Sequence, residues 1–140
     1  MNAVIIYESL TGTTEKAAYR IASELRALRV DATPMSIKEV DAEAVAAADL
    51  VVIGTWTDGI FVVGQKPAKA KKIAALPSLT GKRAVVYCTY ALDPGHTLEK
   101  LVAIVEGLGA VVIGGYALVR HDLNNDIADF IDRLAPALAE

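Results

Sequence analysis

Short apolar runs alternate with stretches of helical period along this entire chain, and that alternation limits what it can fold into more than any other feature. The runs occupy residues 3–7, 32–36, 50–53, 84–88 and 110–116. Apolar, β-branched segments of this length read as strands. Between them, apolar residues recur every three or four positions, as on one face of a helix. Ala17, Ala18, Ile21, Ala22, Leu25 and Leu28 form one such face. Leu98, Leu101, Val102, Val105 and Leu108 form another, with Gly109 as its stop. Ile127, Phe130, Ile131, Leu134 and Leu138 form the last, with Asn125 as its expected N-cap. Shorter helices are predicted at 41–48 and 67–76.

Strand–helix alternation implies a parallel sheet covered by helices on both faces, a three-layer, doubly wound α/β fold. The first, third and fourth strands are continuously apolar, as strands buried on both sides must be. The second is polar and contains Pro34, which cannot donate to a central ladder. The fifth contains Gly114 and Gly115, expected at a bulge or an edge. Edges at two and five give five strands in the order 2-1-3-4-5. The 140 residues show no linker or repeat, so one domain, 1–140, is expected.

Composition excludes several classes. With 54% hydrophobic and 22% charged residues, the chain can bury a core and is not disordered. The 14 basic residues against 17 acidic ones leave no excess to neutralise nucleic-acid phosphates. Cys88 is the lone cysteine, so neither a disulfide nor a zinc cluster is expected. The apolar run 110–119 is about half of the ~20 residues that a membrane helix needs. The first apolar stretch ends at Glu8 with no basic region before it, unlike a signal peptide. The expectation is a cytoplasmic protein without membrane insertion.

In such sheets ligands bind beyond the carboxyl ends of the strands, at the switch point between strands one and three. The loop after Tyr7 reads Glu8-Ser9-Leu10-Thr11-Gly12-Thr13-Thr14 and leads into the first helix. Four hydroxyls and a glycine at a helix N-terminus make an anion cradle. A plain alternative is a helix cap formed by Thr11 or Thr13. Lys16 is the one basic residue close by in sequence, so neutral donors would do most of the binding. The P-loop lysine motif and the three-glycine dinucleotide turn are both absent.

The segment Ser9-Leu10-Thr11-Gly12-Thr13-Thr14 resembles the phosphate loop of flavodoxins, and the rest of the chain matches the short-chain branch of that family. The resemblance implies a flavodoxin-like fold with the FMN phosphate on Ser9, Leu10, Thr11, Gly12, Thr13 and Thr14. It further implies that the loops after strands three and four frame the flavin ring. The first of these reads Gly54-Thr55-Trp56-Thr57-Asp58-Gly59-Ile60-Phe61. The second begins Cys88-Thr89-Tyr90-Ala91-Leu92-Asp93-Pro94-Gly95-His96. The resemblance points to Trp56 and Tyr90 as stacking residues; the alternatives are shielding of the ribityl chain or packing beneath the loop for Trp56, and a place beside the ring for Tyr90. Thr55, Thr57, Thr89, Ala91, Leu92 and Asp93 complete the expected cofactor-binding set. Asp58-Gly59 matches the peptide that reorients toward the reduced flavin. Asp58 is also a carboxylate expected to disfavour a negatively charged reduced ring.

Other conspicuous residues have ordinary explanations. Cys88 ends a buried strand and reads as an inert core thiol; Pro94 stands where a phosphatase loop would need arginine. His96 reads as a capping residue. Arg120-His121-Asp122 reads as a surface turn on the ligand side of the sheet, with a substrate clamp as the alternative. A phosphoacceptor receiver is disfavoured, because Glu8 alone, Gly54-Thr55 and Arg120 stand at its required acidic and lysine positions. Lys66, Lys69, Lys71 and Lys72 cluster after the first ring loop, either as a solvated face or as a docking surface for an acidic redox partner or for the phosphate of a nicotinamide dinucleotide. The leading expectation is an FMN-binding electron carrier. The alternatives are a small FMN-dependent NAD(P)H or quinone reductase, and a binding module that has lost its flavin.

Overall fold

The computed structural model describes residues 1–59 and 64–139; Ile60 and Phe61 of the expected ring loop lie outside them. The strands are β1 (Asn2–Tyr7), β2 (Asp31–Ser36), β3 (Leu50–Asp58), β4 (Lys66–Pro67), β5 (Arg83–Tyr90) and β6 (Val111–Val119). The helices are α1 (Thr13–Ala27), α2 (Ala42–Ala47), α3 (Ala70–Ala74), α4 (Thr97–Gly107) and α5 (Leu123–Leu138). The sheet order is β2-β1-β3-β5-β6 with every pair parallel. This is the expected five-strand order once β4 is set aside. That two-residue strand pairs antiparallel with the far end of β3, Thr57 opposite Pro67 and Asp58 opposite Lys66.

Successive strand side chains face opposite ways, so each central strand feeds two cores. Ala3, Ile5, Tyr7, Val52 and Tyr87 pack with Ile21 and Leu25 of α1 and Phe130 and Leu134 of α5. Val4, Ile6, Val51 and Val86 pack with Val45, Ile73, Leu101 and Val105 on the other side. Pro34 sits on edge strand β2, opposite Ile5. Gly114 and Gly115 lie on the other edge, where the register shifts between Ala84 and Val85.

Several boundaries differ from expectation. β3 runs on to Asp58, β5 to Tyr90 and β6 to Val119, so Thr55, Trp56, Thr57 and Asp58 are strand residues, not loop residues. The apolar run stops where two-sided burial stops, but threonine and aromatic residues suit continued extension. α3 begins at Ala70 and not at 67, because β3 has already engaged the backbone there. The Ala68 amide donates to the Trp56 carbonyl at 2.9 Å, and the Thr55 hydroxyl donates to the Ala68 carbonyl at 2.9 Å. α5 starts at Leu123, so Asn125 is not its N-cap. Asn125 lies within the first turn and donates to Asp122 Oδ1 at 2.9 Å. Neither Thr11 nor Thr13 caps α1. The N-cap is Gly12, at φ 95° in the left-handed region that favours glycine. Among the described residues, no helix is long and apolar enough to cross a membrane.

Candidate functional site

The β1–α1 loop begins beside β3, where the Glu8 amide donates to the Gly54 carbonyl at 3.0 Å. It turns on a bond from the Gly12 amide to Ser9 Oγ at 3.1 Å. The first intrahelical bond of α1 runs from the Lys16 amide to the Gly12 carbonyl at 2.9 Å. The amides of Thr13, Thr14 and Glu15 precede it and have no partner among the described residues, the normal condition of a helix start. They gather positive potential at the loop. The loop is held from beneath. Buried Thr14 Oγ1 bonds buried Thr89 Oγ1 at 2.9 Å, and the Tyr87 hydroxyl donates to the Thr14 carbonyl at 3.0 Å. A side chain at Gly54 would put its Cβ 1.9 Å from Tyr87 Cζ. Glycine there is what lets the tyrosine ring cross β3 and reach α1.

Above this anchorage opens a cleft of about 250 Å³, lined by Leu10, Thr11, Thr13, Thr14, Trp56, Thr57, Thr89, Tyr90, Ala91 and Arg120. A second hollow of about 210 Å³ continues it, lined by Thr57, Gly59, Gln65, Tyr90, Ala91, Leu92 and Asp93. Thr57, Tyr90 and Ala91 border both, so the two form one trough along the carboxyl ends of β3 and β5. Trp56 borders only its loop end, and its buried Nε1 donor has no hydrogen-bond partner. Glu8 Oε2 is likewise buried and unpartnered. At the other end the Asp93 carboxylate accepts the Gly95 amide at 2.9 Å, and Leu92 stands 83% exposed.

The expected residues divide into two groups. Leu10, Thr11, Thr13, Thr14, Trp56, Thr57, Gly59, Thr89, Tyr90, Ala91, Leu92 and Asp93 line the trough. Ser9, Gly12, Thr55 and Asp58 do not line it. Ser9 and Gly12 shape the loop turn, Thr55 ties β3 to Ala68, and Asp58 accepts the amide of Gly59 at 2.9 Å. Arg120 enters the trough although the sequence reading favoured a plain surface turn. Its chain position hid it, since it lies 106 positions beyond Thr14 in the chain. The signal was topological: it follows a strand at the end of the sheet where ligands bind.

Burial pushes the Cys88 thiol from 9.0 up to about 12, against a smaller downward pull from Thr57, so it is protonated and unreactive at neutral pH. Burial and then the Asp126 carboxylate raise the Tyr90 phenol, leaving a neutral ring at the trough. No group of three or more potential metal ligands occurs among the described residues.

Comparison with known proteins gives one answer. Residues 5–130 match the family model described as Flavodoxin. Flavodoxin from Megasphaera elsdenii is 26% identical over 110 residues, covering 79% of this chain and 80% of its own. Flavodoxin from Clostridium beijerinckii is 22% identical over 128 residues, covering 91% and 93%. A solved mutant flavodoxin from Pseudomonas aeruginosa superposes with a TM-score of 0.77 at 19% identity, covering all of both chains.

Proposed function

The chain belongs to the flavodoxin family, and from that premise we propose how its own residues divide the work. It is an FMN-binding electron-transfer protein that serves redox partners. The residues present fit that cofactor. Unpartnered first-turn amides and the hydroxyls of Thr11 and Thr13 suit a phosphate, and the buried Trp56 Nε1 supplies a donor awaiting an acceptor. Ser9 and Gly12 hold the phosphate loop open, and Thr14 and Thr89 lock it to β5. Tyr90, Ala91, Leu92, Asp93, Thr57 and Gly59 border the ring end. When bound, the flavin supplies the redox chemistry, and the protein orients it, limits its contact with water and sets its potential.

One observation supports this assignment above the others: the anion-binding helix start and the aromatic-lined hollow belong to one trough. The test is the visible spectrum of the protein after FMN is added and the excess removed. Retained flavin bands are expected, followed by reduction in two resolved one-electron steps. A protein that holds no flavin would overturn the reading. One that holds flavin but oxidises NADH or NADPH unaided would be a reductase and not a carrier.

Lys66, Lys69, Lys71 and Lys72 are exposed and follow the ring end along the chain, and we assign them to docking an acidic partner. With Lys66 and Lys69 both replaced by Glu, electron transfer at low salt should slow about tenfold or more, and the salt dependence should flatten. Unchanged rates would leave the cluster as a solvated face. A single buried thiol suits a reducing compartment, and we assign the carrier's work to the cytoplasm.

A further inference from the structure

We propose that Arg120 clamps the phosphate of the flavin cofactor, so that this site selects FMN over the unphosphorylated flavin by charge as well as by hydrogen bonding. The inference rests on the FMN reading above and adds a residue that the phosphate-loop motif does not contain. Arg120 follows β6 directly, and the chain there is pinned by the Val119 amide, which donates to Asp126 Oδ2 at 2.8 Å. From that point Arg120 borders the loop end of the trough together with Leu10, Thr11 and Thr13. It also borders the adjoining polar hollow, where Lys16 adds a second positive charge and Asp122 a negative one.

The carboxylates of the neighbouring elements are oriented by neutral donors and not by Arg120. Asp126 accepts the Val119 amide, Asp122 accepts Asn125 Nδ2, and Glu15 accepts the Tyr7 hydroxyl at 2.9 Å. Among the described residues Arg20 pairs with Glu24 and the His96 ring bonds Glu99, and Arg120 takes part in neither contact. Its side chain also makes no hydrogen bond or ring contact to a described residue. Its guanidinium is therefore a free planar donor set at an anion site.

Magnitudes favour a role for that charge. A helix start offers the equivalent of about half a positive charge, whereas a phosphate monoester carries about −1.5 to −2 near neutral pH. Hydroxyls and amides solvate the remainder without neutralising it. One guanidinium offsets about half of it, and its fork matches two phosphate oxygens at once. Because Arg120 is exposed, solvent and salt screen the gain, and a modest, salt-sensitive preference follows.

The experiment compares FMN and riboflavin binding to the flavin-free protein by quenching of flavin fluorescence, across a salt series. Replacing Arg120→Gln should weaken FMN about tenfold at low salt, leave riboflavin unchanged and flatten the salt dependence of FMN. Arg120→Lys should recover part of the loss, which separates charge from side-chain shape. The clamp is overturned if Arg120→Gln leaves FMN affinity unchanged, or if both flavins weaken equally. It is also overturned, with the flavin reading intact, if the unmodified protein binds FMN and riboflavin alike. An unmodified protein that binds neither flavin overturns the FMN reading and the clamp with it.

Discussion

The two ends of the trough are built on opposite plans. At the loop end, Thr14 and Thr89 are buried and bonded to each other, Tyr87 spans from β5 to α1, and Gly54 clears its path. At the other end, which we assign to the flavin ring, Leu92 and Asp93 stand in solvent on a turn held by a bond from the Gly95 amide to the Asp93 side chain. The loop end is continuous with the core, so its geometry is stabilised by folding itself. The ring end is an exposed rim, free to meet a partner and able to change without disturbing the core. An electron carrier needs both, a rigid grip on its cofactor and an accessible edge for exchange.

That contrast breaks most readily at Gly54. Gly54→Ala drives a methyl into the fully buried Tyr87 ring and should destabilise the fold by about 3 kcal/mol, weakening FMN binding with it. Chemical denaturation measures the first effect and flavin titration the second. A loss below 1 kcal/mol would mean that the Tyr87 bridge is dispensable. Next in size is Thr89→Val, which leaves buried Thr14 Oγ1 without its partner and should cost about 1–3 kcal/mol. Equal stability of the two proteins would remove the interior lock from the account.

The ring end should respond in the other currency. Asp93→Asn and Asp58→Asn should leave stability within about 0.5 kcal/mol while raising the potential of the second one-electron step by tens of millivolts. Redox titration sharpens the comparison. Asp93, which lines the hollow, should give the larger shift, and a larger shift from Asp58 would reverse their assigned places. The smallest effect belongs to Cys88. Because folding raises its pKa, its contribution to stability is complete below the unfolded thiol's 9.0 and is lost as pH rises toward about 12. Unfolding measured from pH 7 to 11 should show no Cys88-dependent change below pH 8. Rapid reaction of the folded protein with a thiol reagent at pH 8 would contradict its burial.

Much of this arrangement was legible in the chain. Pro34 marked an edge strand and Gly114–Gly115 a bulged edge, because each disturbs a ladder in a way that central strands do not tolerate. The hydroxyl-rich β1–α1 loop, which we assign to the phosphate, was legible because its hydroxyls are neighbours in sequence. The apolar run ending at residue 53 hid the rest of β3, since extension there rests on β-branched and aromatic residues and on pairing with β4 and β5. For that reason Thr55, read as a cofactor residue, proved to be fully buried and tied to Ala68.

The sequence by itself determined the fold class, the strand order, the hydroxyl-rich loop that opens α1 and the two strand ends facing it. All of these follow from local periodicity and from residues adjacent in the chain. Tertiary structure alone decided which threonines face the trough and which face the core, that Gly54 makes room for Tyr87, and that Arg120 arrives at the loop end of the trough. Those outcomes depend on strand register and on where a distant strand terminates. Both are set by packing of the whole sheet, and no local pattern encodes them.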